Sequence, residues 1–173
     1  MTSATADAAD LASMFDSHAK DLLRYCTRRV GEHIAEDVVA ETFLVAYEQQ
    51  DRFDPARGPV LPWLYGIATN ILRRHRRTEV RALRALATAE TTADFTGRAA
   101  ERVDAQRLAA PLASVLAALP RRQRDVLLLY AVAELGYAEI AAALDIPLGS
   151  VQSALHRART KVRAVLSSHG AAR

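Results

Sequence analysis

The sequence predicts an all-α protein built as two small helical domains joined by a linker, the second ending in a helix-turn-helix. Three observations carry that prediction. Alanine and leucine abound while only 7 of 173 residues are glycine and 6% are aromatic, a composition that favours helices over sheets. Apolar residues recur at three- and four-residue steps along most of the chain. This periodicity weakens between residues 78 and 97 into an Ala/Thr-rich stretch, "ATAETTADFTG". Near the end, "YAEIAAALDIPLGSVQSALHRARTKVRAVL" has a helical pattern, breaks once at "DIPLG", and resumes as a longer basic helix. Half of the residues are hydrophobic, enough to bury a core.

The elements follow in order. Leu11, Met14, Phe15, His18, Leu22, Tyr25, Cys26 and Val30 mark a helix over residues 10–30 that Gly31 ends. In "HIAEDVVAETFLVAYEQQ" the stripe Ala35, Val38, Val39, Thr42, Phe43, Ala46 and Tyr47 faces a core, while Asp37, Glu41, Leu44 and Glu48 line another face at the same spacing. "DRFDPARGPVLP" holds three prolines and a glycine and reads as a loop. Pro62 suits the first turn of a third helix running through Trp63, Leu64, Ile67, Ala68, Ile71 and Leu72 into "RRHRR". Residues 1–80 are thus expected as one domain, 81–105 as a linker partly helical at its start, and 106–173 as a second domain. There Leu108, Leu112, Val115, Leu116 and Leu119 restore the periodicity and Pro120 interrupts it. "RRQRDVLLLYAVAEL" makes the next helix, closed by Gly136, and two more follow.

The net charge of +3 conceals a polarity. Through residue 60 acidic residues outnumber basic ones eleven to six, so the remainder is distinctly basic. An acidic half joined to a basic half implies two kinds of partner, one of them polyanionic. The single cysteine, Cys26, excludes an internal disulfide framework and, lacking partners at ligand spacing, a structural zinc site; a buried thiol in a reducing cytoplasm is expected. The first residues lack a basic start followed by an apolar core. No apolar run approaches the ~20 residues that cross a bilayer, so a soluble, cytoplasmic chain without membrane insertion is expected. Enzymatic readings fare poorly, since there is no glycine-rich phosphate loop, metal-ligand cluster, or serine or cysteine with a matching histidine and acid. His18, on an apolar stripe, reads as a core residue. Neither catalytic residues nor a cofactor or metal is expected.

Three segments carry chemistry. A helix over residues 137–144 would turn Ile140, Ala141 and Leu144 inward, and the helix after the break would bury Val151, Leu155, Ala158 and Val162. Near its start lie Ser150 and the outward set Gln152, Ser153, His156 and Arg157, whose hydroxyl, amide and guanidinium groups can read base edges in a major groove. Arg159, Lys161 and Arg163 lie further along, where phosphate contacts position without specifying. The plainer alternative is a helical hairpin with solvated arginines. In "WLYGIATNILRRHRR", Arg73, Arg74, Arg76 and Arg77 with His75 form a cationic block, which a solvated helix end complementing its dipole also explains. Trp63, Tyr65 and Asn70 on the same helix suit unstacked bases better than closed duplex, although Trp63 is equally a core candidate. The acidic face of Asp37, Glu41 and Glu48 with Leu44 would repel DNA, so it is either a protein-binding surface or a solvated helix face.

In this order the segments resemble a bacterial sigma factor of the extracytoplasmic-function group, the minimal members of the major sigma family. "AEDVVAETFLVAYEQQDRFDP" resembles the family's polymerase-binding helix, "PWLYGIATNILRRHRR" its promoter-melting helix, and "LAALPRRQRDVLLLYAVAELGYAEIAAALDIPLGSVQSALHRARTKVR" its promoter-upstream domain. The resemblance implies that Asp37, Glu41, Leu44 and Glu48 dock on the clamp helices of the largest subunit of core RNA polymerase, and the second domain on the flap of the second-largest. It implies that Trp63, Asn70, Arg73, Arg74, Arg76 and Arg77 engage the minus-ten element, with the loop around Val60 capturing a flipped base of the non-template strand. Ser150, Gln152, Ser153, His156, Arg157, Arg159 and Lys161 would engage the minus-thirty-five duplex, and the linker would thread toward the polymerase cleft and RNA exit path. Melting then needs no catalytic residue, because binding the opened strand offsets the cost of unpairing. The chain departs from the family in carrying Gln152 and Ala154 where Lys or Arg is frequent, and Arg74 where many members have an aspartate. No extra C-terminal domain is expected. An anti-sigma factor is implied, since so short a member has little room to inhibit itself.

Two other functions fit parts of the pattern. A free-standing helix-turn-helix repressor or activator would bind duplex DNA tightly alone, usually as a dimer on a palindrome. An adaptor that binds polymerase without DNA would have no use for Gln152, Ser153, His156 and Arg157.

Overall fold

The computed structural model describes residues 3–88 and 99–170, and among these it contains helices and no strand. The expected linker core, residues 89–98, lies outside the described residues. Helix α1 (Ser3–Val30) starts before residue 10 and ends where expected. Gly31, at φ 83, occupies the left-handed region that glycine enters without strain, and a single residue therefore separates α1 from α2 (Glu32–Glu48). Two single 3-10 turns, Gln50–Arg52 and Pro55–Arg57, form the Pro/Gly segment. Asp54 caps the second by accepting from the Ala56 N–H at 2.9 Å. Pro62 sits in the first turn of α3 (Val60–Arg74), where its missing N–H costs no hydrogen bond.

The periodicity that ran into "RRHRR" is split. His75 ends α3 by donating its N–H to Leu72 O at 3.0 Å, and α4 (Arg76–Thr88) begins at the next residue. Helix α4 therefore runs across the expected boundary at residue 80, and α5 (Ala99–Ala118) begins within the span read as linker. Pro120 caps α6 (Arg121–Ala131), which stops short of the expected end, and Glu134 takes a positive φ of 57° in the segment between it and Gly136. Helices α7 (Tyr137–Leu144) and α8 (Leu148–Gly170) follow.

Helices α1, α2 and α3 pack around Leu22, Tyr25, Cys26, Val38, Phe43, Leu64, Ala68 and Leu72. In the second half, α6, α7 and α8 close over Val126, Leu129, Ile140, Val151 and Leu155. Tyr47, read as inward, is 38% exposed, because it lies at the edge of the α2 stripe. His18 is half-buried and Cys26 is sealed, and burial pushes the Cys26 thiol up to about 12.

The halves are not separate. Helix α3 lies against α7, and α4 against α5, in one continuous core. Gly66 of α3 faces the Ala143 backbone of α7 so closely that a methyl group there would overlap the Ala143 carbonyl. Beside this seam lies a buried charged cluster. Arg29 of α1 donates from Nε to Glu79 of α4 at 2.7 Å, from Nη2 to Asp125 of α6 at 2.6 Å, and from Nη1 to the Tyr25 hydroxyl at 2.6 Å. Arg124 of α6 donates from Nη1 to the Leu119 carbonyl at 3.1 Å, and its Nη2 lies 3.3 Å from Glu79 outside hydrogen-bond geometry. Burial opposes the charge on Arg29, but Tyr25, Glu79 and Asp125 together hold its pKa well above the ordinary guanidinium range. Burial pushes the Tyr25 hydroxyl up to about 12 despite Arg29, and this hydroxyl lies 2.9 Å from Thr69 Oγ1.

Candidate nucleic-acid interface

The helix-turn-helix is built locally. Glu139 accepts from the Gly136 N–H at 2.7 Å and closes the first turn of α7. At the other end Asp145 adopts a left-handed conformation, φ 51. Its N–H reaches Ala142 O at 3.3 Å and that of Ile146 reaches Ala141 O at 3.0 Å, the two bonds of a Schellman motif. Pro147, unable to extend α7, precedes the new helix, and its carbonyl accepts from the Ser150 N–H at 2.9 Å. Ile140, Val151, Leu155 and Ala158 are buried as expected, with Ala141, Leu144 and Val162 half-buried.

That packing turns Gln152, Ser153, His156 and Arg157 outward together, all exposed on the first three turns of α8. Ser150 is half-buried, and its carbonyl accepts from Ser153 Oγ at 3.2 Å. Arg159 is drawn aside, its guanidinium 4.5 Å from the centre of the Tyr130 ring, and Lys161 donates to Gln123 at 3.2 Å. The recognition set is therefore compact, while Arg159 and Lys161 lie off its axis with partners of their own.

The second surface gathers on α3 and α4. Val60 is half-buried at the start of α3, and Trp63, also half-buried, stacks at a tilt on Phe53 with centroids 5.2 Å apart. These rings wall a cleft of about 170 Å³ between the Pro/Gly segment and α7. Asn70 is exposed and accepts from Arg73 Nη1 at 2.7 Å, while Arg73 Nε lies 3.5 Å from Asp125. Arg74 is ion-paired with Glu41 of α2. Arg76 and Arg77 are exposed on α4 beside Arg81 and Arg84, and the four line one shallow groove. Arg81 and Arg84 were not singled out in the sequence, because they fall in the stretch read as linker; their spacing of four and seven from Arg77 was the available signal.

The acidic face lies on α2 and touches the α3 surface through Glu41. Asp37 and Glu48 are exposed, Leu44 is 57% exposed, and the half-exposed Glu41 leans toward Arg74. The groups proposed for protein and for strand binding thus meet at one ion pair. Among the described residues no cluster of His, Cys, Asp and Glu is able to hold a metal ion, and no helix is long and apolar enough to cross a membrane.

The comparisons with known proteins fall on these same elements. Residues 14–82 match the family described as Sigma-70 region 2, and residues 110–162 match Sigma-70, region 4. The chain is 30% identical over 171 residues to the ECF RNA polymerase sigma factor SigL of Mycobacterium tuberculosis, with 98% of this chain and 96% of that one covered. It belongs to the ECF RNA polymerase sigma factors. It is also 32% identical to SigE of Mycolicibacterium smegmatis over 96% of its own length, spanning 66% of that relative. Among solved structures it is similar to CnrH in complex with the cytosolic domain of CnrY, with a TM-score of 0.63, 28% identity, and 91% of this chain and 88% of that one covered. This ECF sigma factor is thus a promoter-directing subunit that binds DNA and RNA polymerase. A free-standing repressor is not favoured, because region 2 accompanies the helix-turn-helix in one chain.

Proposed function

We propose that three surfaces divide the work of initiation. Gln152, Ser153, His156 and Arg157, with Ser150, read the minus-thirty-five duplex from the major groove, and Arg159 and Lys161 approach its phosphates once they leave Tyr130 and Gln123. Trp63, Asn70, Arg73, Arg74, Arg76 and Arg77 hold the non-template strand of the minus-ten element, with the loop before Val60 taking a flipped base. Arg81 and Arg84 extend that cationic track along the phosphates. Asp37, Glu41, Leu44 and Glu48 dock on the clamp helices of the largest polymerase subunit, and the second domain meets the flap of the second-largest. Residues 1–80 act as region 2, 81–105 as the connection, and 106–173 as region 4.

The observation that carries this reading is the shared exposure of Gln152, Ser153, His156 and Arg157 over a helix-turn-helix core that is otherwise closed. Chemistry supports the rest. Four arginines in one groove repel one another unless a polyanion meets them, and carboxylates beside an exposed leucine suit a protein and not DNA. No step requires bond chemistry by this chain, which acts through binding in the cytoplasm with polymerase. An anti-sigma factor is its regulator; the similar CnrH was solved in complex with the cytosolic domain of CnrY.

The deciding experiment is run-off transcription with purified bacterial core polymerase on fragments of the protein's own genome, including its own upstream region. Discrete new transcripts should appear with the protein and vanish when Asp37 and Glu41 are both changed to lysine. Absence of transcripts, together with tight duplex binding by the protein alone, would overturn the reading.

A further inference from the structure

The three surfaces assigned above leave one cavity unused. It is open, has a volume of about 640 Å³, and takes its walls from the end of α1 and from α4, α5, α6 and α8. Leu83 and Leu86 of α4, Leu112 and Leu116 of α5, and Leu128 and Val132 at the end of α6 line it. None of the residues assigned to DNA or to polymerase does. The periodicity of α5 marks Leu112 and Leu116 as core positions, yet both are only half-buried, and Leu86 is 52% exposed. Hydrocarbon is left against water here, and an apolar occupant would cover it.

The polar groups in this wall are few and of one sign. Thr27, Arg28 and Arg29 line the cavity, and no carboxylate does. Arg29 is already committed to Glu79 and Asp125. Arg28 is exposed and has no ion pair or side-chain hydrogen bond among the described residues. Its unit charge outweighs the roughly half-unit negative charge of the helix C-terminus on which it stands, so the site favours an anion. Volume then separates a small molecule from a protein segment. A helix with its side chains is about 10–12 Å across and rises 5.4 Å per turn, so each turn fills on the order of 400–600 Å³. The cavity holds little more than one such turn, whereas it falls within the roughly 300–1,000 Å³ that small ligands occupy.

We propose that this cavity binds a single-chain aliphatic carboxylate from solution, its tail against Leu83, Leu86, Leu112 and Leu116 and its carboxylate on Arg28. The lining carries no aromatic ring to stack a planar ligand and one unpartnered cation to hold a single anionic head. A guanidinium suits a carboxylate because two parallel N–H groups meet its two oxygens. Five helices contribute walls, so an occupant stabilises the folded chain by mass action. It would compete with DNA for no residue assigned to DNA above, and the site is independent of those assignments.

Isothermal titration of the full chain with sodium dodecanoate, kept far below its micelle concentration, tests the site. One molecule should bind per chain with a Kd on the order of 100 µM, the strength that a single acyl chain supplies. Arg28→Glu should weaken that binding about tenfold and reverse the preference, so that dodecyltrimethylammonium binds better than dodecanoate. Leu86→Glu, at an exposed position, should abolish dodecanoate binding by placing a like charge beside the tail. Should circular dichroism show that Leu86→Glu fails to fold, Leu86→Ala should still weaken binding severalfold. Several molecules per chain, or an affinity that neither position alters, would mean an adventitious additive only and overturn the proposal. Equal binding of the two head groups by the wild type would overturn it as well, since Arg28 would then select nothing. No binding in free solution would overturn it too, and capture of the chain only on phosphatidylcholine vesicles containing dodecanoate would make a membrane the occupant. No readout involves transcription, so failure here and failure of the run-off assay remain distinguishable.

Discussion

On α8, Gln152, His156 and Arg157 face solvent without a side-chain partner among the described residues, while on α3 Arg73 is shared between Asn70 and Asp125 and Arg74 is paired with Glu41. The two basic surfaces differ less in composition than in commitment. A guanidinium already in water gives up only hydration when it meets DNA, so the surface on α8 proposed to read duplex is preorganised. A paired guanidinium must exchange one partner for another, which makes strand reading conditional on what else the molecule is doing. On the proposed roles, base reading by Gln152, His156 and Arg157 needs no exchange of side-chain partners, whereas strand capture by Arg73 and Arg74 does.

The largest test of that comparison lies in the cores beneath the two surfaces. Leu72 under α3 is 0% exposed and Leu155 under α8 is 1% exposed. Changing either to alanine should cost about 2–5 kcal/mol. Because the halves share a core and a buried ion cluster, each variant should shift a single urea transition rather than one of two. Two transitions, each responding to one variant, would show halves that fold independently and a shared core that couples them only weakly.

A smaller effect separates the surfaces themselves. Arg157→Ala should weaken binding to duplex carrying the upstream element by about 1–3 kcal/mol, roughly 5- to 150-fold, and leave single-stranded binding unchanged. Fluorescence anisotropy on the two DNAs checks both halves of that statement. Equal losses on both would mean that Arg157 acts as a general phosphate contact, and the division of labour would fail.

The sequence carried the helix-turn-helix almost whole, because every part of it is local: the inward period of Ile140 to Val162, the break at Asp145, and Pro147. It carried the acidic face of α2 for the same reason. Long-range pairing was not legible. Glu79 and Asp125 would pass for solvated charges, yet their side chains are 2% and 0% exposed, and both bind an arginine 50 and 96 residues away in sequence. No period encodes that. Helix ends were legible where glycine or proline sets them and were missed where an ordinary residue does: His75 divides α3 from α4, and Glu134 turns left-handed inside an apolar run. Reading the chain beyond residue 80 as linker also hid Arg81 and Arg84, which α4 carries.

Those two arginines give a milder test. Replacing either with alanine should lower affinity alike for all sequences and reduce the slope of log affinity against log salt by about 0.7 per lost contact on single strands. Unchanged slopes would mean that the groove on α4 faces solvent in the complex, and the strand-reading surface would end at Arg77.

The smallest effect belongs to the ion pair that joins α2 to α3. Glu41 and Arg74 have side chains 38% and 62% exposed, so water screens them and their coupling should be only about 0.2–1 kcal/mol in a double-mutant cycle of Glu41→Ala and Arg74→Ala followed by thermal unfolding. Breaking the buried Arg29–Asp125 pair at one end should cost more, about 3–5 kcal/mol, because it leaves the remaining charge buried without its partner. The contrast assigns the two pairs different roles. On the proposed roles, a weak exposed pair lets polymerase take Glu41 and free Arg74 for DNA at little cost, whereas the buried pair holds the two halves together. A Glu41–Arg74 coupling well above 1 kcal/mol would reverse that order, making release of Arg74 a barrier of its own and tying proposed strand capture to polymerase docking.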